Sequence, residues 1–374
     1  MQWGVVVVAL AAAAAVAVSL PSGGRLMSLF ALGLASGVVL YLSAYSFAGA
    51  YRALLTRRET FGVRAQLIML GVATLLFAPL LGQPPGIGIV GAVAPVGMPV
   101  AIGAFAFGIG MQLAGGCGSG TLYSMGGGSW RMAIVLIAFC AGSFWASLHM
   151  DWWQRLPSWG EIELGRVLGW PGAVAAQFAV LAVLWIVLLR MDREQHAIPD
   201  GVERSQRAGR HRRLLGGAVL LAVLNALVLV VAGHPWTITW AFALWGAKVA
   251  MRLGWDPAAA PFWQGAFQSA ALSAPVLHDT TSVTNAGIML GALSAAGGVA
   301  RFHFAPRMAA LPLAAAVLGG LVMGYGARIA YGCNIGAFFS GVASTSLHGW
   351  LWIAAALVGN AVGVRLRSAF GLPD

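Results

Sequence analysis

Long apolar segments are the feature of this sequence that most restricts its fold. They lie at about 3–20, 27–50, 63–82, 98–115, 131–149, 172–190, 214–232, 237–252, 284–300, 308–330 and 347–364. An α-helix of about 20 apolar residues crosses the roughly 30 Å hydrocarbon core of a bilayer. In addition, 59% of the residues are hydrophobic and only 9% are charged. The sequence therefore predicts an all-α polytopic membrane protein that has the lipid bilayer as its solvent.

The arginine residues predict how the helices are oriented. The net charge is +11, and arginines cluster in the connections at 52–64, 190–213 and 301–307 and near the end of the chain at 365–367. Because short cytoplasmic connections are rich in basic residues, we expect all of these on the cytoplasmic side. No basic stretch alternates with aromatic residues on a polar background, so nucleic acid is not an expected partner.

A glycine-framed cysteine occurs twice at a constant separation. A shift of 216 residues superposes AGGCGSG at 114–120 on AYGCNIG at 330–336. The sequence thus predicts one integral membrane domain with two transmembrane repeats, 1–190 and 214–374, joined by a basic cytoplasmic linker at 191–213. The helix before the first frame enters from an arginine-free connection, and the helix before the second enters from an arginine-containing one. We therefore expect inverted-topology repeats.

Each frame predicts a broken or re-entrant helix. Two adjacent or closely spaced glycines interrupt a helix, and non-helical backbone at membrane depth is tolerated only where it is buried in protein or lines a cavity. The N–H groups at the start of the helix that follows carry a partial positive charge. Two such ends predict an anion site near the bilayer midplane, formed by Gly116, Cys117, Gly118 and Gly120 from one frame and by Gly332, Cys333, Asn334 and Gly336 from the other.

The thiols restrict the chemical class of the predicted ligand. An S–H group is a polarisable and weakly hydrated donor, which favours an anion with a sulfur or selenium atom. The three cysteines, at 117, 140 and 333, fit neither a disulfide framework nor a metal site. No metal or cofactor is therefore expected, and burial as a small apolar residue is the preferred interpretation of Cys140.

Two more polar residues are candidate ligands of the anion. Arg328 lies one helical turn before Cys333, and Gln112 has the matching position in the first half. An ionisable residue in an apolar segment is a functional hypothesis by default. The alternatives are that Arg328 extends to the interface or bonds backbone carbonyls, and that Gln112 forms a polar contact between helices.

The sequence resembles the YeeE/YedE family of bacterial membrane proteins from about residue 30 to 364. The resemblance rests on GIGMQLAGGCGSGTLYSMGGG at 108–128, GHPWTITWAFALWGAK at 233–248 and GARIAYGCNIGAFFSG at 326–341. It implies a multi-pass protein of the bacterial inner membrane that takes up thiosulfate, which its cysteines pass through a central constriction. Family members typically carry a third functional cysteine where YSFAGAYR at 45–52 has Ser46. Ser46 is thus an expected substrate contact, and a related small sulfur-containing anion is the alternative substrate.

Three classes of function are open at this point. The first is a transporter or channel-like importer, which is the preferred interpretation. The second is a membrane thiol oxidoreductase or sulfurtransferase that uses Cys117 and Cys333, but a redox pair is usually close in sequence or accompanied by a cofactor motif. The third is a noncatalytic subunit that binds a soluble, TusA-like sulfur-carrier protein on its basic cytoplasmic face. We therefore predict that the chain is not an enzyme.

Overall fold

The protein is almost entirely helical. A computed structural model describes residues 1–83, 88–193, 201–304 and 308–373. The helices are α1 (Trp3–Ser19), α2 (Gly24–Ser43), α3 (Phe47–Arg57), α4 (Phe61–Leu81), α5 (Met98–Ala114), α6 (Gly118–Gly126), α7 (Trp130–Ser147), α8 (Met150–Gln154), α9 (Leu164–Arg193), α10 (Gly201–Ala232), α11 (Thr239–Arg252), α12 (Pro261–Gln264), α13 (Ala266–Ser273), α14 (Thr280–Gly298), α15 (Ala310–Ile329), α16 (Ser340–Ala343) and α17 (Leu347–Leu366). Two short antiparallel strands, β1 (Pro95–Gly97) and β2 (Ser158–Glu161), cover one end of the bundle. A π-helix covers Asn334–Phe339.

The apolar helices confirm the predicted class. Within the described residues, eight helical segments are long and apolar enough to cross a membrane. They are Gly24–Arg57, Phe61–Leu81, Met98–Gly126, Trp130–Ser147, Leu164–Asp192, Ser205–Ala232, Ala310–Ala343 and Leu347–Leu366. The chain is therefore a polytopic all-α membrane protein.

Several boundaries differ from the predicted ones. The apolar stretch at 27–50 is two helices, because Ala44 adopts a left-handed conformation and Ser46 caps a new helix. The predicted linker at 191–213 is partly helical, since α10 begins at Gly201 and continues through the arginines into the apolar segment. Residues 194–200 of that linker, residues 84–87 and Arg307 lie outside the described residues. The linker role itself stays a prediction.

Glycines bring helix backbones into direct contact at the centre of the bundle. Gly103 of α5 meets Gly326 of α15, and Gly110 of α5 meets Gly319 of α15. These pairs run in opposite order along the two helices, so α5 and α15 are antiparallel. Small residues allow close approach of this kind, which in a membrane supplies the packing that the hydrophobic effect does not. Glycine contacts of the same kind join α2 to α14, α5 to α17 and α7 to α15.

The order of the helices repeats at the same 216-residue separation as the two cysteine frames. Shifted by 216 residues, α4 falls on α14, α5 on α15 and α7 on α17. The same shift brings α6 onto the π-helix and α16. This order supports the predicted repeat, and the inversion of the two halves across the membrane stays a prediction.

The close contact between α5 and α15 generates a stability prediction. In Gly110→Ala, the added Cβ atom would lie 2.6 Å from the Met323 backbone nitrogen and 2.7 Å from the Gly319 carbonyl oxygen. We expect overpacking to lower the free energy of unfolding by about 1–3 kcal/mol, measured by thermal unfolding of the detergent-solubilised protein. Gly209→Ala is the matched control, because nothing lies within 4 Å of its added Cβ. An equal midpoint in the two variants would contradict the backbone contact.

Candidate functional site

Both predicted helix breaks are observed. Helix α5 ends at Ala114, Gly115 adopts a φ of 82°, and Cys117 caps the amino terminus of α6. Helix α15 ends at Ile329, and Tyr331 and Gly332 then have φ values of 59° and 155°. A left-handed backbone ends a helix at low cost only where glycine or a strongly held residue occupies it.

The two frames meet at their cysteines. A Cβ atom on Gly118 would lie 3.2 Å from Cys333 Sγ, so the first residue of α6 packs directly against the second thiol. Cys117 Sγ accepts a hydrogen bond from the Gly120 N–H at 3.4 Å and lies 3.3 Å from Ser119 Oγ. Both cysteines are free, and their exposed fractions are 2% and 0%. The geometry therefore brings the amino termini of two short helices and two buried thiols together.

The remaining glycines of the frames keep the surrounding backbones close. A Cβ atom on Gly116 would lie 3.6 Å from Met132 Sδ, and one on Gly332 would lie 2.8 Å from the Ala337 nitrogen. Gly336 packs against Thr237, since a Cβ atom added to this glycine would lie 3.4 Å from Thr237 Oγ1. These contacts leave little room for side chains on the walls of the site.

A non-helical segment at 233–238, between α10 and α11, forms another wall. Three hydrogen bonds hold its centre: Trp236 N–H donates to Asn225 Oδ1 at 2.8 Å, Asn225 Nδ2 donates to Ser340 Oγ at 3.1 Å, and Ser340 Oγ donates to the Trp236 carbonyl at 2.9 Å. The Ile238 side chain packs against Gly118, and the Ile238 carbonyl accepts from Asn285 Nδ2 at 3.0 Å. Sequence reasoning missed these residues, although polar side chains in apolar helices were a usable signal.

Asn334 is the polar side chain that most clearly lacks a partner. Its exposed fraction is 0%, and neither its amide oxygen nor its amide nitrogen has a hydrogen bond of good geometry within the described residues, although the Tyr51 hydroxyl lies close to it. An unsatisfied buried polar group costs about 1–3 kcal/mol. Such groups are rare in native proteins, and each one calls for a physical explanation such as a missing ion or ligand.

Further donors lie on the side of α3 and α4. The Tyr51 hydroxyl lies near Asn334, Cys117 and Tyr45, and it donates to Gln66 Oε1 at 2.7 Å. The buried Gln66 Nε2 and the buried Tyr45 hydroxyl have no hydrogen-bond partners in the described structure. Both groups can donate a hydrogen bond, as can the Asn334 amide.

Ser46 lies between the thiols and the arginine-rich face. Its hydroxyl oxygen accepts from the Gly49 N–H at 3.0 Å and caps α3. Tyr123 lies near both Ser46 and Cys117. Ser46 also lines a cavity of about 210 Å³, whose polar wall includes Arg57 and Arg210. The residue is thus positioned between the cavity and the first thiol.

A second cavity lies at the other end of the bundle. It has a volume of about 330 Å³ and is lined by Pro95, Pro99, Gln154, Leu156, Ser158, Glu161 and Tyr331. Tyr331 is two residues from Cys333. Helix α4 begins at the first cavity with Gly62 and ends beside Gly91, in the segment that leads to β1. The thiol pair therefore lies between two cavities at opposite ends of the molecule.

The structure does not bring every predicted residue to the thiols. Gln112 is fully buried, and its Nε2 donates to Asn360 Oδ1 at 2.7 Å and to the Ala48 carbonyl at 3.0 Å. These contacts correspond to the alternative interpretation, a polar link between helices. The Arg328 guanidinium lies over the Phe262 ring at 5.1 Å from its centroid. Their roles as ligands stay predictions.

Comparison with known proteins gives a family and three relatives. Residues 42–362 match the family described as sulphur transport. The thiosulfate transporter TsuA of Spirochaeta thermophila is 27% identical over 354 residues, which cover 88% of this chain and 95% of that protein. A protein named probable transporter YedE, from Escherichia coli, is 30% identical over 159 residues, or 42% of this chain and 39% of its own length. The corresponding Salmonella typhimurium protein gives the same identity and coverage. All three names are those of transporters, which agrees with the prediction that the chain is not an enzyme.

The unpartnered amide generates a prediction about stability. Asn334→Leu replaces the amide with an apolar group of similar size, so we expect the free energy of unfolding to rise by about 1–3 kcal/mol. Asn360→Leu is the matched control, because Asn360 is equally buried but donates to the Ala356 carbonyl and accepts from Gln112. The control variant should be destabilised. Thermal unfolding of both variants measures this, and a loss of stability in both would mean that Asn334 is satisfied by the fold itself.

Proposed function

Because the chain belongs to the sulphur transport family, we propose that it imports thiosulfate or a related small sulfur-containing anion across the inner membrane of a bacterium. The observation that carries this proposal is the contact between Gly118 and Cys333 Sγ, which joins the two glycine–cysteine frames. The anion passes through the constriction at this contact, and the two cavities are its entrance and exit.

Neutral thiols can bind the anion without a buried cation. Cys117 Sγ accepts the Gly120 N–H and lies beside Ser119 Oγ, so its proton can be donated to the anion when Ser119 donates to the sulfur. The Cys333 sulfur lies near the Ile335 and Gly336 N–H groups at the start of the π-helix, and the Cys333 thiol can also donate. An S–H donor suits the soft terminal sulfur of thiosulfate, because both atoms are polarisable and weakly hydrated.

Backbone N–H groups bind the oxygen end of the anion. Apart from the Gly120 N–H, which donates to Cys117 Sγ, the first N–H groups of α6 and of the π-helix have no partners within their own helices. The partial positive charge at a helix amino terminus favours an anion. Asn334 Nδ2, Gln66 Nε2 and the Tyr45 hydroxyl supply further buried donors. An inverted repeat explains why two such helix ends point at one site. The matching element order at a shift of 216 residues supports the repeat, and the antiparallel contact of α5 with its counterpart α15 supports the inversion.

The path continues from the thiols to the arginine-rich face. Tyr123 and Ser46 connect Cys117 to the cavity that Arg57 and Arg210 line. A positive potential at this mouth attracts the anion as it leaves the constriction. The same face supplies the charge that a TusA-like sulfur-carrier protein with an acidic surface would bind, and we include this partner in the proposal.

The thiol path predicts a loss of transport when either thiol is removed. Cys117→Ala and Cys333→Ala should each reduce the uptake of labelled thiosulfate into proteoliposomes by roughly tenfold or more, since a hydrogen bond to a charged group contributes about 1.5–3 kcal/mol. Cys140→Ala is the matched control and should transport normally, because Cys140 lies on α7 where that helix packs against Gly246 of α11. If both alanine variants fold and still transport at the wild-type rate, the thiol path is wrong.

Restoring a thiol at position 46 tests the identity of the substrate. A cysteine there can accept the Gly49 N–H as Cys117 accepts the Gly120 N–H, so Ser46→Cys should preserve the cap of α3. We expect faster uptake of labelled thiosulfate, because the path then has three soft contacts. Ser46→Ala is the control for loss of the hydroxyl. Unchanged or slower uptake by Ser46→Cys would indicate that another sulfur-containing anion is the natural substrate.

A further inference from the structure

A lipid-facing groove lies apart from the thiol path. It has a volume of about 670 Å³ and is formed by α2, α10 and the end of α14. Its aliphatic wall consists of Val38, Val39, Leu42, Leu220 and Val299, together with the backbone at Gly216. Several of these side chains are strongly exposed, with fractions of 51% for Leu220 and 47% for Leu42. The groove is therefore open to the surrounding lipid along most of its length.

Positive charge is concentrated at one end of the groove. Arg213 lies one helical turn before Gly217, which packs against Ser43 at the end of α2. Arg301 follows α14, and its carbonyl accepts from the Tyr41 hydroxyl at 3.5 Å. Neither guanidinium forms an ion pair with an acidic side chain in the described part of the chain. Arg213 lies where the basic turns of α10 give way to its apolar part, and Arg301 follows the end of α14, so we expect both arginines near the level where the membrane meets water.

An aliphatic wall that ends in two guanidinium groups matches the chemistry of an anionic lipid. Guanidinium binds phosphate through charge-assisted hydrogen bonds, and a basic residue near an anionic membrane surface contributes about 1 kcal/mol of binding. A second copy of this chain is the alternative occupant. It would bring the same arginine-rich face to the groove, whereas a lipid phosphate brings a negative charge that both guanidinium groups can bind.

We propose that this groove is a binding site for one anionic glycerophospholipid. The phosphate lies between Arg213 and Arg301, and an acyl chain lies against the aliphatic wall of α2 and α10. Phosphatidylglycerol is the probe for this site, and phosphatidylcholine is the neutral comparison with the same acyl chains.

Native mass spectrometry of the purified full chain, titrated with each lipid, tests the charged end. We expect the wild-type protein to bind phosphatidylglycerol more tightly than phosphatidylcholine. The double variant Arg213→Gln, Arg301→Gln should bind phosphatidylglycerol roughly 30-fold more weakly and phosphatidylcholine as before. Arg212→Gln is the matched control, because Arg212 is an exposed neighbour that does not line the groove. Equal affinity for the two lipids, or an unchanged double variant, overturns the proposal.

Filling the groove tests its apolar part. Nothing lies within 4 Å of a Cβ atom added at Gly216, so Gly216→Phe can occupy the groove without disturbing the helix. This variant should lose the tightest-binding phospholipid of either headgroup, while Gly209→Phe, outside the groove on the same helix, should retain it. A change from dimer to monomer in Gly216→Phe with no change in bound lipid would instead assign the groove to a second copy of the chain, against the proposal. Thermal unfolding checks that every variant is folded.

Discussion

The requirement that backbone polar groups be satisfied at membrane depth governs this structure. A chain that leaves the helical conformation inside the bilayer loses its internal hydrogen bonds and finds no water to replace them. Here the replacements are specific. The Gly332 N–H donates to the Ala327 carbonyl at 2.8 Å, and the Gly332 carbonyl accepts from Trp352 Nε1 at 3.2 Å. The breaks are therefore fixed structures, whose side chains and N–H groups have defined positions.

Glycine packing and the helix breaks depend on each other. The crossing of α5 and α15 at Gly103 and Gly110 brings two antiparallel helices so close that the breaks that follow them lie in one packed core. Gly118 then admits Cys333 Sγ at a distance that a larger residue would obstruct. Because the polar groups at this point are N–H groups, thiols and neutral amides, an anion can be bound without burying a lysine or an arginine, which would be costly in the membrane.

The sequence predicted the class of fold and the two breaks for clear physical reasons. High hydropathy indicates helices that contact lipid, and closely spaced glycines indicate positions where a helix ends. The break at Ala44 carries no glycine, so hydropathy alone merged α2 and α3 into one segment. Hydropathy also missed the start of α10, because its first turns are polar and basic. A helix that continues into an apolar span can extend beyond the lipid, so its first turns need not be apolar.

The walls of the site were harder to predict because their contacts join distant parts of the chain. Asn225 and Ser340 are separated by 115 residues and still form one hydrogen-bonded unit with Trp236. Periodicity describes the environment of one helix, whereas such a pair requires the complete packing of several helices.

A selective path must bind its ion firmly enough to replace water and weakly enough to release it. Thiols are weak donors, and helix amino termini supply partial charges, so each contact contributes modestly. In the proposed path Asn334 adds a different effect, since its buried amide raises the free energy of the empty site, and an anion that accepted from Asn334 Nδ2 would remove the donor's share of that cost. Part of the binding free energy would then come from the higher free energy of the empty site. Neutral groups could therefore bind an anion in a dry constriction, without a buried cation whose strong attraction would slow release of the anion.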